Sequence, residues 1–242
     1  MKEYLLPSLF FKKKWIWFAD PRDIPGVDAV TYFSYNDVEA EGFRKKAGWT
    51  LIIDLSPTLA ELWNNMRKDF IILQIEKGGR KGVVVKQDDN FREFKPILED
   101  FRNTKNLGKE DYRVLSKNGL LFSAYLEGKM IAGGIFIADE NNLRVWMLAS
   151  KRLDPESGVS GQIIGQANRM VLWEAIKYAK EHGMKVFDFC GIDLPEKEGD
   201  PLPSLTAYKE AFGGRRLKNY YYTKTYSPVL KLIGRIRNII RR

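Results

Sequence analysis

The stretch from residue 119 to residue 226 constrains the fold most, because strand-like and helix-like patterns follow one another in a definite order. Three β-type runs come first, and "EGK" predicts a hairpin between the first two. A helical pattern follows at about residues 160–181, then the strand "KVFDFCGI", a short helix and the strand "RLKNYYYTKTY". This order predicts an α/β (α+β) fold in which a mixed sheet is flanked by helices.

The N-terminal part alternates between strands and helices as well. Two short aromatic strands precede a stronger strand at residues 48–56. Ser56 and Pro57 then predict the N-cap and first turn of one helix that continues to residue 75. The following "EKGGRKG" lacks the Gly-Lys-Ser/Thr ending of a phosphate loop, which favours a basic hairpin or turn.

The single cysteine and the single histidine, Cys190 and His182, exclude several kinds of site. One cysteine cannot form an internal disulfide, and the two residues are too few for a Cys/His zinc site in one chain. A Ser-His-Asp triad would have to use His182. The segment around His182, "AKEHGMKV", instead predicts the last turn of a helix. A histidine there interacts favourably with the negative end of the helix dipole.

The lengths of the apolar segments and the pattern of the N-terminus predict where the protein is located. The apolar runs are too short to cross a bilayer, and the N-terminus "MKEYLLPSLFFKKKW" does not have the layout of a signal peptide. We therefore expect a cytoplasmic protein.

The net charge of +9, from 40 Lys+Arg against 31 Asp+Glu, predicts a polyanionic partner such as nucleic acid, nucleotide phosphates or an anionic membrane face. The alternative is that the excess of positive charge only keeps the protein soluble.

The C-terminal tail "SPVLKLIGRIRNIIRR" has the pattern of a basic amphipathic helix. Its apolar residues recur at helical spacing, and no acidic residue interrupts the cations. This pattern predicts peripheral docking on the inner face of the cell membrane, and a helix packed on the protein's own core is the alternative. The predicted membrane-contacting residues are Lys231, Arg235, Arg237, Arg241 and Arg242.

Three segments, at residues 167–192, 205–214 and 48–70, resemble the FemABX family of peptidoglycan-bridge aminoacyltransferases, which belong to the GNAT superfamily. The family typically has a strand ending in Asp-Leu, a helix leading into a "DFGG"-like strand, and a Lys-x-x-Phe-Gly-Gly segment. This sequence departs from the family pattern at two positions: Cys190 replaces a glycine, and Leu73 stands where a basic residue is common.

The resemblance implies a division of the chain into three parts. Residues 1–105 would form a reduced N-terminal GNAT-like subdomain that helps to build the acceptor groove. Residues 106–226 would form the acyltransferase domain, and residues 227–242 the basic tail.

The reaction implied by the resemblance is transfer of an amino acid from aminoacyl-tRNA to an amine of a cell-wall precursor. The basic tail would suit a lipid-linked or membrane-proximal precursor. No metal and no cofactor is implied. Relatives with the same fold use acyl-CoA, but "SKRLDPESGVSGQIIG" lacks their Arg/Gln-x-x-Gly-x-Gly/Ala spacing, which favours the tRNA donor. An acyl-CoA-dependent N-acyltransferase on an amino sugar or small amine, and a non-catalytic RNA- or nucleotide-binding relative, stay open.

The predicted catalytic residues are Asp188, from its place in the sequence, and Lys209, from the resemblance. Asp188 lies between two phenylalanines in a predicted buried strand, so its carboxylate needs partners or a water-filled site. It would orient the acceptor amine or take its proton, or else bind backbone N–H groups of the loop at 191–199. Lys209 would hold a phosphate or the reacting carbonyl, or else be a surface lysine.

Further substrate-binding candidates are the basic and polar residues Asn168, Tyr208, Arg215, Arg216, Arg67 and Lys68. Packing or helix capping is the alternative for Asn168 and Tyr208. Alternation along the last strand also puts Tyr220, Tyr222 and Tyr226 on one face, where they would stack on a base or form a core face.

Overall fold

The structure is a computed structural model that describes residues 1–8, 10–106, 108, 111–154, 157–195 and 201–240, with the backbone alone at residues 153 and 235–240. Its strands are β1 (Lys2–Leu6), β2 (Lys13–Trp17), β3 (Ala29–Ser34), β4 (Arg44–Asp54), β5 (Val84–Asp88), β6 (Leu120–Leu126), β7 (Lys129–Ala138), β8 (Asn142–Ser150), β9 (Val186–Gly191) and β10 (Arg215–Thr225).

The α-helices are α1 (Leu59–Asn64), α2 (Leu73–Arg80), α3 (Phe91–Thr104), α4 (Tyr112–Asn118), α5 (Gly161–Glu181), α6 (Ser204–Glu210) and α7 (Pro228–Ile240). A π-helix at Lys68–Ile72 leads directly into α2, and a 3₁₀ turn at Lys151–Leu153 follows β8. This mixture of strands and helices confirms the predicted α+β class.

The chain divides into two compact units, Met1–Trp49 with Leu217–Arg242 and Thr50–Arg216. Both β4 and β10 begin in one unit and end in the other. The boundaries between the two units therefore lie after Trp49 and after Arg216, and not after residues 105 and 226 as expected. The reason is that the first unit is assembled from both ends of the chain, a pairing that no local pattern reveals.

The first unit is built on strands from both ends of the chain. β1 is antiparallel to β2, β2 is parallel to β3, and β3 is antiparallel to β10. Tyr220 and Tyr222 are buried in one hydrophobic cluster with Tyr32, and Tyr226 packs against that cluster. The tyrosines of the last strand therefore form a core face, which was one of the two open interpretations.

The second unit has the strand order β4-β9-β8-β7-β6-β5, in which only β8 and β9 are parallel. Helix α5 packs against β6 and β7, whereas α3 packs against β7 and β8. Phe94 and Leu98 of α3 and Leu115 of α4 lie in the same buried cluster as Ile135 of β7. The predicted order of strands and helices after residue 119 is thereby confirmed.

The single helix predicted from Ser56 to residue 75 is wrong. Thr58 caps α1 instead, in a capping box with Glu61, and the helix ends at Asn64 with Asn65 as its C-cap. The backbone N–H of Arg67 then donates to the carbonyl of Ala211 at 2.8 Å, so a tertiary hydrogen bond replaces a helical one.

The first five of the seven residues in the "EKGGRKG" segment are helical, because α2 continues to Arg80 before the turn. The predicted basic turn is thus confirmed only for Lys81 and Gly82. Gly78 explains the close packing here: a Cβ at this position would lie 2.6 Å from the sulfur of Met170 on α5. The sequence pattern also missed β1 and α4, which are a short strand and a short helix.

Candidate active site

The parallel strands β8 and β9 separate after three residue pairs, which opens the sheet of the second unit. Asn142, Leu143 and Arg144 pair with Val186, Phe187 and Asp188, although β8 continues to Ser150 and β9 to Gly191. In the described part of the chain, no further pairing joins the two strands. The backbone edges beyond Arg144 and Asp188 are consequently available to a ligand.

A bulge on each strand lies where this opening begins. On β8, the register with β7 shifts so that Trp146 is the extra residue between Val145 and Met147. On β9, the register with β4 shifts between the pairs formed by Asp188 and Gly191. Bulges bend a strand and increase its twist, so they account for the separation of β8 from β9.

The bulge on β9 explains why glycine suits the position of Cys190. The backbone of Cys190 has a φ of +68°, in the left-handed region that disfavours side chains with a Cβ. A bulge residue in this conformation is usually glycine. The predicted "DFGG"-like motif therefore has a conformational basis, and this chain accommodates a cysteine there.

The carboxylate of Asp188 is buried and held by several partners. Its Oδ1 accepts hydrogen bonds from the Thr50 hydroxyl at 2.5 Å and the Cys190 N–H at 2.7 Å, and its other oxygen forms a salt bridge with Arg144. The exposed fractions of the Asp188 and Arg144 side chains are 0% and 1%. These contacts describe a structural carboxylate whose backbone partner is Cys190 and not a residue of the loop at 191–199, and a proton-transfer role for Asp188 stays a prediction.

Arg144 is a site residue that the sequence reasoning missed. It lies directly beside Asp188 because the two residues are paired in the parallel register of β8 and β9. Its Nη2 also lies 3.4 Å from the sulfur of Cys190. The signal was one arginine inside the apolar run "LRVWMLA", since a buried cation needs an anion.

Lys209 of α6 lies at the end of β9. Its Nζ donates to the carbonyl oxygen of Gly191 at 2.5 Å, and the residue is 8% exposed. Burial lowers the pKa of Lys209, although the neighbouring Cys190 and Asp188 partly oppose that shift. The structure thus brings Lys209 and Asp188, the two predicted catalytic residues, to the same strand end.

Two other predicted residues, Tyr208 and Arg67, border one aromatic group. The Tyr208 ring packs edge-on against Phe70 of the π-helix, with ring centroids 6.3 Å apart, and the Arg67 guanidinium lies 4.4 Å from the Phe70 centroid. Burial raises the pKa of Tyr208 to about 12. This hydroxyl therefore stays protonated at neutral pH.

The remaining predicted residues lie in different surroundings. Asn168 donates to the Ser150 hydroxyl at 3.3 Å, at the end of β8. Arg216 is paired with Glu210, while Arg215 and Lys68 are exposed. The pKa of Asp54 is lowered, first by hydrogen bonds from Ser56 and also by the charge of Arg215.

A cleft of about 480 Å³ lies beside Ser150, between α3 and the 3₁₀ turn after β8. One face of α3 supplies most of its lining, with Ile97 and Phe101 as apolar residues and Asp100 as an acid. Asp154 adds a carboxylate from the other side. A cleft of this size suits a small polar ligand.

Comparisons with known proteins agree with this geometry. A family model described as "Acetyltransferase (GNAT) domain" matches residues 112–198, which include the opening between β8 and β9. No curated protein sequence matches the chain significantly.

Among solved structures, the chain is similar to FemX, with a TM-score of 0.63 at 12% identity over 94% of this chain and 84% of that chain. It is also similar to the C-terminal domain (DUF2156) of a putative lysylphosphatidylglycerol synthetase from Agrobacterium fabrum, with a TM-score of 0.55 at 12% identity over 88% and 78%. The third is L-PGS from Bacillus licheniformis, with a TM-score of 0.51 at 16% identity over 84% and 70%.

At these identities the structural likeness shows the fold, and the family match shows the domain. Residues 112–198 therefore resemble an acetyltransferase domain of the GNAT superfamily, and the fold of the chain is similar to that of FemX.

Proposed function

We propose that the protein transfers an amino acid from an aminoacyl-tRNA to an amine of a peptidoglycan-type cell-wall precursor. The observation that carries the proposal is the opening between β8 and β9, which ends at the buried ammonium of Lys209. Fold similarity to FemX and to lysylphosphatidylglycerol synthetases supports an aminoacyl donor. The net charge of +9 suits a donor with many phosphates.

The reaction requires no covalent nucleophile, because an aminoacyl ester is already activated. The acceptor nitrogen attacks the ester carbonyl, so that a C–N bond forms and the C–O bond to the ribose breaks. The amine loses a proton, and the ribose oxygen leaves with one. Orienting the two reactants can lower the barrier by about 7–11 kcal/mol.

Lys209 would stabilise the negative charge that develops on the carbonyl oxygen. One N–H of its ammonium is held by Gly191, which orients the group and leaves two N–H bonds for substrate. The acceptor amine would enter from the cleft beside Ser150, where the carboxylates of Glu93, Asp100 and Asp154 outweigh the ammonium of Lys151 and so favour a cation.

Filter binding of charged and uncharged bulk tRNA over a salt series, with acetyl-CoA as competitor, tests the donor. We expect the protein to bind charged tRNA more tightly than uncharged tRNA, and the affinity to fall steeply as the salt concentration rises. Acetyl-CoA should not displace the tRNA. Transfer of the amino acid to a cell-wall precursor should fall at least 100-fold in Lys209→Ala and stay unchanged in Lys117→Ala, an exposed control on α4. Equal activity of the two variants would refute the assignment of Lys209.

An acyl-CoA-dependent N-acyltransferase is the second candidate, favoured by the acetyltransferase family match. The N-terminus of α5 would meet the pyrophosphate: Ser160 caps it by accepting from the Ile163 N–H at 3.4 Å. A rise in the unfolding temperature with acetyl-CoA would favour this candidate, together with weak tRNA binding that is the same for charged and uncharged tRNA.

We further propose that α7 docks on an anionic membrane surface. Val229, Leu232 and Ile233 are 56%, 58% and 37% exposed, so these apolar side chains are open to a partner. Lys231 is exposed beside them, and Arg235 and Arg237 follow in the helix, whereas Arg241 and Arg242 lie outside the described residues. Within the described residues, no helix has the length and apolarity that a bilayer span requires.

Co-sedimentation with phosphatidylglycerol-containing vesicles and with neutral vesicles tests this docking. The wild type should bind the anionic vesicles alone, and Leu232→Glu should lose most of that binding. Val84→Glu is the matched control, because Val84 is 52% exposed on β5. Equal binding of both variants would exclude α7 as the docking surface.

A further inference from the structure

The segment of residues 10–12, which leads into β2 and is named here the Phe10 segment, exposes an aromatic ring beside a run of lysines. Phe10 is 83% exposed, more than any other large apolar side chain that the structure describes. Lys12 is exposed as well, and two further lysines follow it at the start of β2. On the neighbouring strand, Leu5 is 58% exposed and pairs with Lys14. Isolated exposed apolar residues are ordinary, but apolar side chains among cations are typical of segments that bind anionic lipid.

The Phe10 segment lies at the same end of the first unit's sheet as the start of α7. Lys13, the first residue of β2, pairs with Ala29 of β3, and Ala29 pairs with Thr225, the last residue of β10. These three residues therefore lie side by side across the sheet. The Phe10 segment precedes Lys13, and α7 begins at Pro228, three residues after Thr225. Both segments thus extend beyond the same row of residues.

Asp28 connects the two segments through its backbone and its carboxylate. Its N–H donates to the carbonyl of Lys12 at 2.8 Å, and its Oδ2 accepts from the N–H of Lys12 at 2.8 Å. Its carbonyl accepts from the N–H groups of Tyr226 at 2.8 Å and Ser227 at 3.1 Å. Ser227 in turn caps the start of α7, because its Oγ accepts from the N–H of Leu230 at 3.4 Å. One residue therefore fixes the Phe10 segment next to the first turn of α7.

The charges around this end of the sheet favour an anionic partner. Two carboxylates of the first unit are already neutralised, in the ion pairs Glu3–Lys14 and Asp23–Lys224. Within the part of the chain that the structure describes, Lys12, Lys13 and Lys231 form no ion pair. They outnumber the carboxylates of Asp28 and Glu41, so the surface beside Phe10 carries a net positive charge.

We propose that the Phe10 segment is a second membrane contact, in which the Phe10 ring inserts into the interface of an anionic bilayer and the lysines beside it contact lipid phosphates. It rests on the proposed docking of α7, to which it adds an orientation, because Asp28 fixes both elements at one end of the sheet. That end of the first unit faces the bilayer. The partner is a membrane and not a second copy of the chain, since the cations that attract anionic lipid repel an identical surface.

Co-sedimentation with phosphatidylglycerol-containing vesicles tests the contact by comparing Phe10→Ser with Val84→Ser, a matched control on β5 that is 52% exposed. We expect Phe10→Ser to lower the apparent affinity for the vesicles at least fivefold and Val84→Ser to leave it unchanged. Both variants should keep the unfolding temperature of the wild type, because neither side chain is part of the core. Vesicle binding is measured without donor or acceptor, so its failure is distinct from a failure of the proposed aminoacyl transfer.

An environment-sensitive dye reports insertion directly. It is attached to Phe10→Cys in a Cys190→Gly background, which removes the single native thiol. Its emission should shift to the blue on anionic vesicles, whereas the same dye on Val84→Cys should not shift.

The results separate the Phe10 segment from α7. If Phe10→Ser binds as the wild type does, or the dye at residue 10 shows no shift, the second contact is overturned, and loss of binding in Leu232→Glu still supports α7. Loss of binding in Phe10→Ser but not in Leu232→Glu supports the Phe10 segment and refutes the docking of α7. A wild type that binds no anionic vesicles overturns both. Self-association without vesicles that Phe10→Ser abolishes would identify a second copy as the partner and overturn the proposal.

Discussion

Arg144 and Asp188 form an ion pair across β8 and β9 that is closed to solvent, with exposed fractions of 1% and 0%. The pair lies at the last point where the two strands are in register. It joins the strands immediately before they separate, and Thr50 and the Cys190 N–H satisfy the second oxygen of the carboxylate. The ion pair therefore supports the geometry of the opening on which the proposed reaction depends.

We expect Asp188→Asn to lower the free energy of unfolding by about 3–5 kcal/mol, because it leaves the Arg144 charge buried without its counter-ion. Urea unfolding of the purified variant measures this loss. The double variant Arg144→Met with Asp188→Leu should lose clearly less, since no buried charge is left. Glu99→Gln, which removes an exposed ion pair with Lys95, should cost less than about 1 kcal/mol. A similarly small loss for Asp188→Asn would contradict the structural role.

Cys190→Gly should be more stable than Cys190→Ala by about 1 kcal/mol, which reverses the usual order of the two residues in a strand. Both variants lose the thiol, but only glycine adopts a φ of +68° without strain. Thermal unfolding of the pair measures the difference. Ala124→Gly in β6 is the control, and it should be destabilising. The left-handed bulge would be in doubt if the alanine variant proved the more stable of the two.

Gly213→Ala should destabilise the protein by about 2–4 kcal/mol, because strain and a steric clash add at this position. Gly213 has a φ of +85°, and a Cβ there would lie 2.7 Å from the carbonyl oxygen of Asn65. Gly82→Ala is a matched control with a φ of +81° and no atom within 4 Å, and it should cost about 1 kcal/mol. Chemical denaturation compares the two, and equal losses would rule out the clash.

The stability of the wild type should rise with pH relative to Lys209→Met as the pH approaches 10.5. Burial lowers the pKa of Lys209 in the folded protein, whereas the unfolded chain keeps the ordinary value. Between the two pKa values the unfolded state binds more protons, so raising the pH favours the folded state. Unfolding free energies of both proteins from pH 7 upwards test this, with Lys117→Met as an exposed control that should follow the wild type. Parallel curves for the wild type and Lys209→Met would argue against a lowered pKa.

Much of the second unit was predictable because its elements are encoded locally. Alternation and β-branched residues mark β6, β7 and β8, and the long helical pattern matches α5. The break after α1 was not predictable, since it depends on the hydrogen bond from Arg67 to the distant Ala211. Of the site, the motif residues Asp188 and Lys209 were found, but their geometry was not.

The sequence by itself determined which segments are strands and helices after residue 119, and it identified an aspartate and a lysine as unusual residues at their ends. Only the tertiary structure decided the partners of these residues: Arg144 beside Asp188, and the Gly191 carbonyl beside Lys209. Periodicity depends on neighbours along the chain, whereas these contacts depend on the register of parallel strands and on bulges. Those features arise only when distant segments pack together.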